Sequence, residues 1–483
     1  MVSDDEPYLP YFRDPQIQTG QRAKRSGRDA FHQPCCNITR HAGFSSARDK
    51  KGAPRQIQYQ YNWIEDVETL EKYVPGGYHP VMIGNVLKSR YEIVAKLGYG
   101  GFSTVWLARD IEQHTYVALK VGVSDSRMHE TTVMKALSES KPSVSTTSVA
   151  ASGAGAIPVP LDEFTVHGPN GTHPCYTTAV AECNIRDCSS SRMFKLDVTR
   201  ALALKLVSAV AYMHDQGYVH GDIHLGNAMI KLNSGLGTIS IDQLCVRPQT
   251  EDISRADEGA LPPNVPARAV RPLDLGKPAS EISLQETNLL LIDFGESFAP
   301  AKTFRPCEDC RSYLAARPPE CRFEPSSPLS FSADIWCLGI ALWDLIAMKP
   351  LFNDQLVPPD SVVAQQEDIL GPMPPQWWKQ WEKRLEYFDA EGNSTRGNDD
   401  TSPPLDEAFK VWGQKYRAKR KAGVLPQDEE PAFISLLSRM LSLDPRGRPS
   451  ANKVLASEWI KNWAMPSFQQ SLAGIPEQNA MPQ

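Results

Sequence analysis

The chain has 483 residues, of which 41% are hydrophobic and 22% charged, enough for one large or two ordinary globular domains with a core to bury. No apolar run reaches the roughly 18 residues of a membrane span, and the acidic start MVSDDEPYLP lacks a signal peptide's apolar stretch, so neither is expected. Residues 1–58 hold ten Lys/Arg against six Asp/Glu, and since the chain totals −6, residues 59–483 carry −10. An acidic body disfavours nucleic acid as the main partner and attracts a basic one, although solubility alone also explains it. The ten Cys show no paired framework, which in a chain of this size points to reduced thiols. Cys307 and Cys310 make one C-x-x-C with Cys321 nearby, a weak zinc signal without a second pair. Asn170-Gly-Thr and two further sequons read as chance matches.

In chain order, residues 1–58 are rich in Arg, Lys, Gln, Ser and Gly without apolar period, and read as disordered or loosely attached. Within them AKRSGR is a solvated basic tail or a nuclear-import patch. From Tyr91 the pattern changes. RYEIVAKLGYGGFSTVWLARD reads as strand, Gly-rich turn, strand, and TYVALKVGV as another strand. SRMHETTVMKAL places Met128, Val133, Met134 and Leu137 near helical spacing, and YTTAVAEC is strand-like. VTRALALKLVSAVAYMHDQG is a long helix with Leu202, Leu206, Val210 and Met213 in one stripe, ended by Gly217. The remainder is mostly helical, with ADIWCLGIALWDLIAM and AFISLLSRML apolar enough to be buried. Strands first and helices second predict an α+β protein of two lobes. There is no internal repeat. A Pro-rich stretch, 247–288, and a second excursion over roughly 351–430 interrupt the pattern; loops this long are functional or structureless.

The chemistry-bearing residues follow the same order. Gly98, Gly100 and Ser103 stand at G-x-G-x-x-S spacing, and glycines let backbone amides close on phosphate oxygens. The loop precedes a strand rather than opening a helix, which argues against a dinucleotide-binding fold. Lys120 in VALK can hold α- and β-phosphates, or can be a snorkelling surface lysine. Glu130 in the following helix is the expected partner of its ammonium, with Asp125 the second choice. In YVHGDIHLGNAMI, Asp222 can orient a hydroxyl and take its proton, and Asn227 can ligate a metal through its amide oxygen. Asp293 in LLLIDFGES follows an apolar strand and can bridge to a metal on β- and γ-phosphates. Taken singly, Asp222 reads equally as a turn cap, Asn227 as a turn residue and Asp293 as a strand-end carboxylate. Their order and contexts together make coincidence remote.

With these residues in place, the chain over about 83–464 resembles a eukaryotic protein kinase. ARPPE resembles the family's A-P-E signature, with Glu320 at the Glu and Arg317 three residues earlier. DIW supplies Asp334, which the resemblance implies braces the catalytic loop, and DPRGRPSA supplies Arg448 as the ion-pair partner of Glu320. Arg317 and the second insert are similar to the group that includes MAP and cyclin-dependent kinases. YVPGGYHPVMIGNVLKSRYEIVAKLGYGGFSTVWLARD, LDEFTVHGPNGTHPCY and ILGPMPPQWWKQWEKRLEYFDAEGN narrow the likeness to SR-protein kinases, in particular their fungal relatives.

The resemblance implies a bilobal protein kinase fold, with a β-rich N-lobe and a mainly α-helical C-lobe. It implies a lead-in segment at 59–90 packing on the N-lobe and a kinase domain at 91–464. Within it the N-lobe is 91–181, the hinge about 182–188, and the C-lobe 189–464 with inserts at about 233–287 and 351–430. A tail follows at 465–483. ATP and Mg²⁺ are the implied cofactors. Leu97, Gly98, Gly100, Gly101, Phe102, Ser103, Val105, Ala118, Lys120 and Glu130 would form the nucleotide site, with Glu182 at the hinge. Asp222, Lys120 and His224 would be catalytic, and Asn227 and Asp293 metal-binding. The implied substrates are Ser residues of basic Arg/Ser-rich proteins such as splicing factors. Asp389, Glu391, Asp399 and Asp400 are candidate docking acids or a solvated loop. A cytoplasmic and nuclear monomer is expected, without direct nucleic-acid or membrane partners. The alternatives are a weakly active nucleotide-binding relative or a small-molecule kinase.

Two positions depart from the family's pattern. Gly221 replaces the Arg that meets a phosphorylated activation loop, which implies constitutive activity. His224 replaces a Lys that holds the γ-phosphate. A His does so only when protonated or as a neutral N–H donor, which implies a pH-dependent rate. Kinases of choline and aminoglycosides also carry a His there, so His224 does not by itself mark a dead enzyme.

Overall fold

Alternation in TYVALKVG turns Val117, Leu119 and Val121 to a buried face and leaves Ala118 and Lys120 on the other. This strand is the fourth of six in one antiparallel sheet: β1 (Val86–Leu87), β2 (Tyr91–Gly100), β3 (Ser103–Asp110), β4 (Thr115–Gly122), β5 (Asp162–Gly168) and β6 (Gly171–Thr178). The spatial order is β1-β2-β3-β4-β6-β5. Register places Gly98 opposite Val105 and Val105 opposite Lys120 on one face; Lys96, Trp106 and Leu119 align on the other. Helix α1 (His129–Glu139) packs Val133, Met134 and Leu137 into the core. A computed structural model describes residues 60–124, 126, 129–140, 148–189, 193–232, 249–397 and 400–473. The basic segment 1–58, Asp125, Met128, Asp399 and the last ten tail residues fall outside the described residues.

The second lobe is helical, giving the bilobal α+β fold. α2 (Leu196–Asp215) and α3 (Phe331–Ile346) are buried on almost every side. α4 (Pro359–Leu370) and α5 (Glu429–Met440) each bury one face. At roughly 1.5–3 kcal/mol per fully buried large apolar side chain, Leu202, Leu206, Val210 and Met213 make α2 the axis of the lobe. A small sheet, β11-β8-β7, caps the cleft side: β7 is Ala181–Asn184, β8 is Ala228–Lys231 and β11 is Leu289–Leu291.

Two expectations shift. YTTAVAEC is two strands, because pairing with β4 stops at Thr178 and pairing with β8 starts at Ala181. The chain passes from one sheet to the other at 179–180, directly before the expected hinge at about 182–188. Among the described residues, both inserts are built into the fold. Residues 249–287 form a hairpin, β9 (Thr250–Asp252) with β10 (Arg268–Val270). Ile253, Val265 and Ala269 there share a core with Tyr61, Ile64, Leu70, Tyr73 and Tyr78 of the lead-in segment. The 351–430 insert buries Trp377 and Trp381, and its Arg417 donates to the carbonyls of Phe194, Ile346, Ala422 and Gly423. The Cys183 and Cys188 sulfurs lie close together where β7 leads into a short helix. Cys307, Cys310 and Cys321 pack with Val219, Phe298, Leu329 and Ala333 as small apolar groups. Among the described residues, no three His, Cys, Asp or Glu converge as metal ligands. Asn170 is buried and donates to the Tyr78 and Asn264 carbonyls, so that sequon is structural.

Candidate active site

The β2–β3 hairpin carries the Gly-rich turn, with Gly100 paired to Ser103 and Phe102 exposed at the tip. Val105, Ala118 and Lys120 share the cleft face of the sheet behind it. Leu97 packs beside Val94, Ala95, Leu107 and Val180, near the lobe junction. Lys120 Nζ lies 2.7 Å from Glu130 Oε2 on α1 and 3.3 Å from Asp293 Oδ1, in the turn after β11. Burial opposes the lysine charge, but the Asp293 and Glu130 carboxylates outweigh it and hold the ammonium well above its ordinary pKa. Lys120 in turn depresses Asp293, against burial, with help from His220 and His224. Asp293 sits at φ 65°, a left-handed conformation that costs a non-glycine residue roughly 1–3 kcal/mol. Its neighbour Phe294 holds it there: the Phe294 N–H donates to Glu130 Oε1 at 3.2 Å, and its buried ring lies 5.3 Å from that of His220.

The loop before β8 is braced from below. Asp334 on α3, 1% exposed, accepts from the N–H groups of His220 at 2.7 Å and Gly221 at 2.9 Å, and from His214 Nε2 at 2.9 Å. His220 Nδ1 accepts the Asp222 N–H at 3.2 Å, while its Nε2 lies 3.1 Å from the Ile292 carbonyl, so Nε2 carries the proton. Asn227 Nδ2 donates to Asp222, at 2.9 Å to the carbonyl and 3.3 Å to Oδ2. The other side of that amide is therefore its oxygen, a hard ligand. His224 Nε2 is 3.5 Å from Asp222 Oδ2, and its buried Nδ1 has no partner among the described residues. Gly221 takes φ +82°, and a Cβ there would lie 2.6 Å from the Glu296 carbonyl oxygen.

The structure brings Lys120, Glu130 and Asp293 together across the lobes, and Asp222, His224 and Asn227 within the loop. Glu182 lies on β7, just past the passage between the two sheets, half-buried, with its carboxyl raised by burial and eased by Lys277. Arg448 forms two bonds to Glu320, at 2.6 and 2.7 Å, and also donates to the Ser332 and Ser442 carbonyls. Among the described residues Arg317 meets no carboxylate; its guanidinium donates to the Ser312 carbonyl. Sequence reasoning missed Arg186 and Tyr313. The Arg186 guanidinium lies 5.4 Å over the Tyr313 ring, which meets His224 edge-on at 5.9 Å. Neither stands at a recognisable spacing from the loop.

Residues 277–460 match the protein kinase domain family. A serine/threonine protein kinase of Aspergillus fumigatus is 24% identical over 405 residues, covering 81% of this chain and 90% of that protein. The serine/threonine-protein kinase spk-1 of Caenorhabditis elegans is 38% identical over 175 residues, 35% of this chain and 17% of the relative. Human SRSF protein kinase 3 is 32% identical over 175 residues, 34% of this chain and 30% of its own. The crystal structure of a kinase domain aligns with TM-score 0.53 and 16% identity, over 79% of this chain and 98% of that one, which speaks for the fold. The chain thus carries the protein kinase domain of an ATP-dependent serine/threonine kinase and is similar to kinases of the SR-protein-kinase type.

Proposed function

We propose that this kinase transfers the ATP γ-phosphate to Ser in basic, Arg/Ser-rich proteins, with Asp222 as the catalytic carboxylate. The observation that supports it most is Lys120 held between Glu130 and Asp293, one charge from the N-lobe sheet meeting one from the C-lobe. In this reading Lys120 grips the α- and β-phosphates. Asp222, fixed by Asn227, accepts the substrate hydroxyl's hydrogen bond and takes its proton late in transfer. The Asp293 carboxylate and the Asn227 amide oxygen are hard donors suited to Mg²⁺, which when bound would neutralise charge on the β- and γ-phosphates. Phosphoryl transfer otherwise needs positioning, and Asp334 supplies it by anchoring two backbone amides next to Asp222.

For the substrate, the support is the −10 of residues 59–483 and the name of the human relative, an SRSF protein kinase. Not every acid is available: Asp360 and Asp368 on α4 pair with Arg322 and Arg396, and Asp389 caps Asn393. Glu391 and Asp400 remain exposed. Constitutive activity is supported by the activation segment itself. Arg305 donates to the Glu296 carbonyl at 2.7 Å, the Glu296 carboxylate and the Asp309 carbonyl, closing the segment without a phosphate. The basic 1–58 segment favours a nuclear as well as a cytoplasmic location, testable by imaging a tagged chain with and without it.

The test is ATP turnover on an Arg-Ser repeat peptide with Asp222→Ala as control. Loss of general base catalysis is expected to cost about 10²–10⁴-fold. Equal signal from both proteins would remove Asp222 from the mechanism. A weakly active nucleotide binder is the second reading, favoured by His224 Nδ1, which has no partner among the described residues; Mg·ATP binding with no turnover on any basic peptide would select it.

A further inference from the structure

The lead-in segment reaches further than its core contacts require. Tyr78 Oη donates to the Gly100 carbonyl at 2.6 Å, and Lys72 Nζ donates to the Gly101 carbonyl at 3.3 Å. These are the two carbonyls at the tip of the Gly-rich turn. Both donors are held from behind. The Tyr78 N–H donates to the Lys72 carbonyl at 3.0 Å, and Gly77 makes the bend, since a Cβ there would lie 1.9 Å from that oxygen. Asn170 donates to the Tyr78 carbonyl at 2.7 Å, and Asn264 of the first insert donates to the Tyr73 carbonyl at 2.6 Å. Beneath them Glu68 forms a buried ion pair with Lys96 of β2 and accepts from the Tyr73 hydroxyl.

The side of the sheet is decisive. Lys96 shares a face with Trp106 and Leu119, opposite to the face of Val105 and Lys120 that lines the cleft. Carbonyls drawn toward the lead-in segment therefore point away from the cleft. In a trans peptide the C=O and the N–H point in opposite directions. Fixing the Gly100 and Gly101 carbonyls outward turns the amides of Gly101 and Phe102 the other way, toward the nucleotide side.

We propose that Lys72 and Tyr78 are positioning residues that preorient the Gly101 and Phe102 amides to receive ATP phosphate oxygens. Glycine-rich backbone has no side chains to hold its peptide planes, so an external latch supplies the order that phosphate binding would otherwise have to impose. This rests on the reading that the turn binds ATP phosphates, and the experiment separates the two. Full-length protein, Tyr78→Phe, Lys72→Met and Lys72→Arg are titrated with Mg·ATP and, separately, with adenosine, which has no phosphates. Tyr78→Phe and Lys72→Met are each expected to weaken Mg·ATP binding about three- to tenfold, the worth of one net hydrogen bond. The KM for ATP should rise in step. Adenosine affinity should stay unchanged, and Lys72→Arg, which keeps a donor, should restore Mg·ATP binding. Unchanged Mg·ATP affinity in both deletion variants would overturn the proposal, as would a parallel loss of adenosine affinity. Failure of the unaltered protein to bind Mg·ATP would instead overturn the nucleotide reading beneath it.

Discussion

Gly221 offers the most demanding test, because its replacement by Arg would restore the residue many kinases carry. The backbone there has φ +82°, and an added Cβ would meet the Glu296 carbonyl oxygen at 2.6 Å, closer than side-chain carbons approach backbone. The left-handed conformation costs an L-residue about 1–2 kcal/mol. Relieving the clash moves the loop off Asp334, and the Gly221 N–H bond to that carboxylate, at 2.9 Å, contributes about 1.5–3 kcal/mol as a charged hydrogen bond. Together Gly221→Ala should destabilise the protein by about 3–5 kcal/mol in urea unfolding. Because Asp222 is the next residue, kcat should fall about 100-fold, the effect of a misplacement near 1 Å. Gly221→Arg should do no better and should not make activity depend on phosphorylation. Wild-type stability and turnover in Gly221→Ala would refute the reasoning.

Other expectations follow from the same geometry. Glu320→Ala leaves the buried Arg448 uncompensated and should cost about 3–5 kcal/mol by denaturant titration, partly recovered by also changing Arg448 to Met. Burial, with His173 nearby, lowers His79 to about 4. The unfolded chain then takes up that proton near pH 6.5 and the fold only near 4, so stability is complete above 6.5 and falls, by up to about 3 kcal/mol, as pH drops to 4. Thermal melts of His79→Phe should lose that part of the pH dependence. His224→Lys should raise peptide turnover; an unchanged rate would remove His224 from phosphate handling. Phosphatase treatment should leave turnover intact, since Arg305 already closes the activation segment; abolished activity would contradict this.

Much of the site was legible because its chemistry is local. Asp222, Asn227 and Asp293 lie in short contexts whose residue types transfer of a phosphoryl group demands. Glu130 could be named because a helix ten residues after Lys120 has one acid in its first turn. Where YTTAVAEC divides into two strands was not legible, because Ala179 and Val180 are as apolar as the strands on either side.

The sequence by itself determined the strand-then-helix order and the two-lobe class and pointed to the residues proposed to handle ATP, since these depend on period, turn chemistry and functional groups near one another in the chain. Only the tertiary structure decided what the two inserts do and what the lead-in segment touches. Residues 170 and 264 meet residues 73–78 across wide gaps in sequence. Lys96 gains its partner only when Glu68 is folded over the sheet. Such contacts leave no spacing to read, because the chain between them can take many paths and only packing selects one.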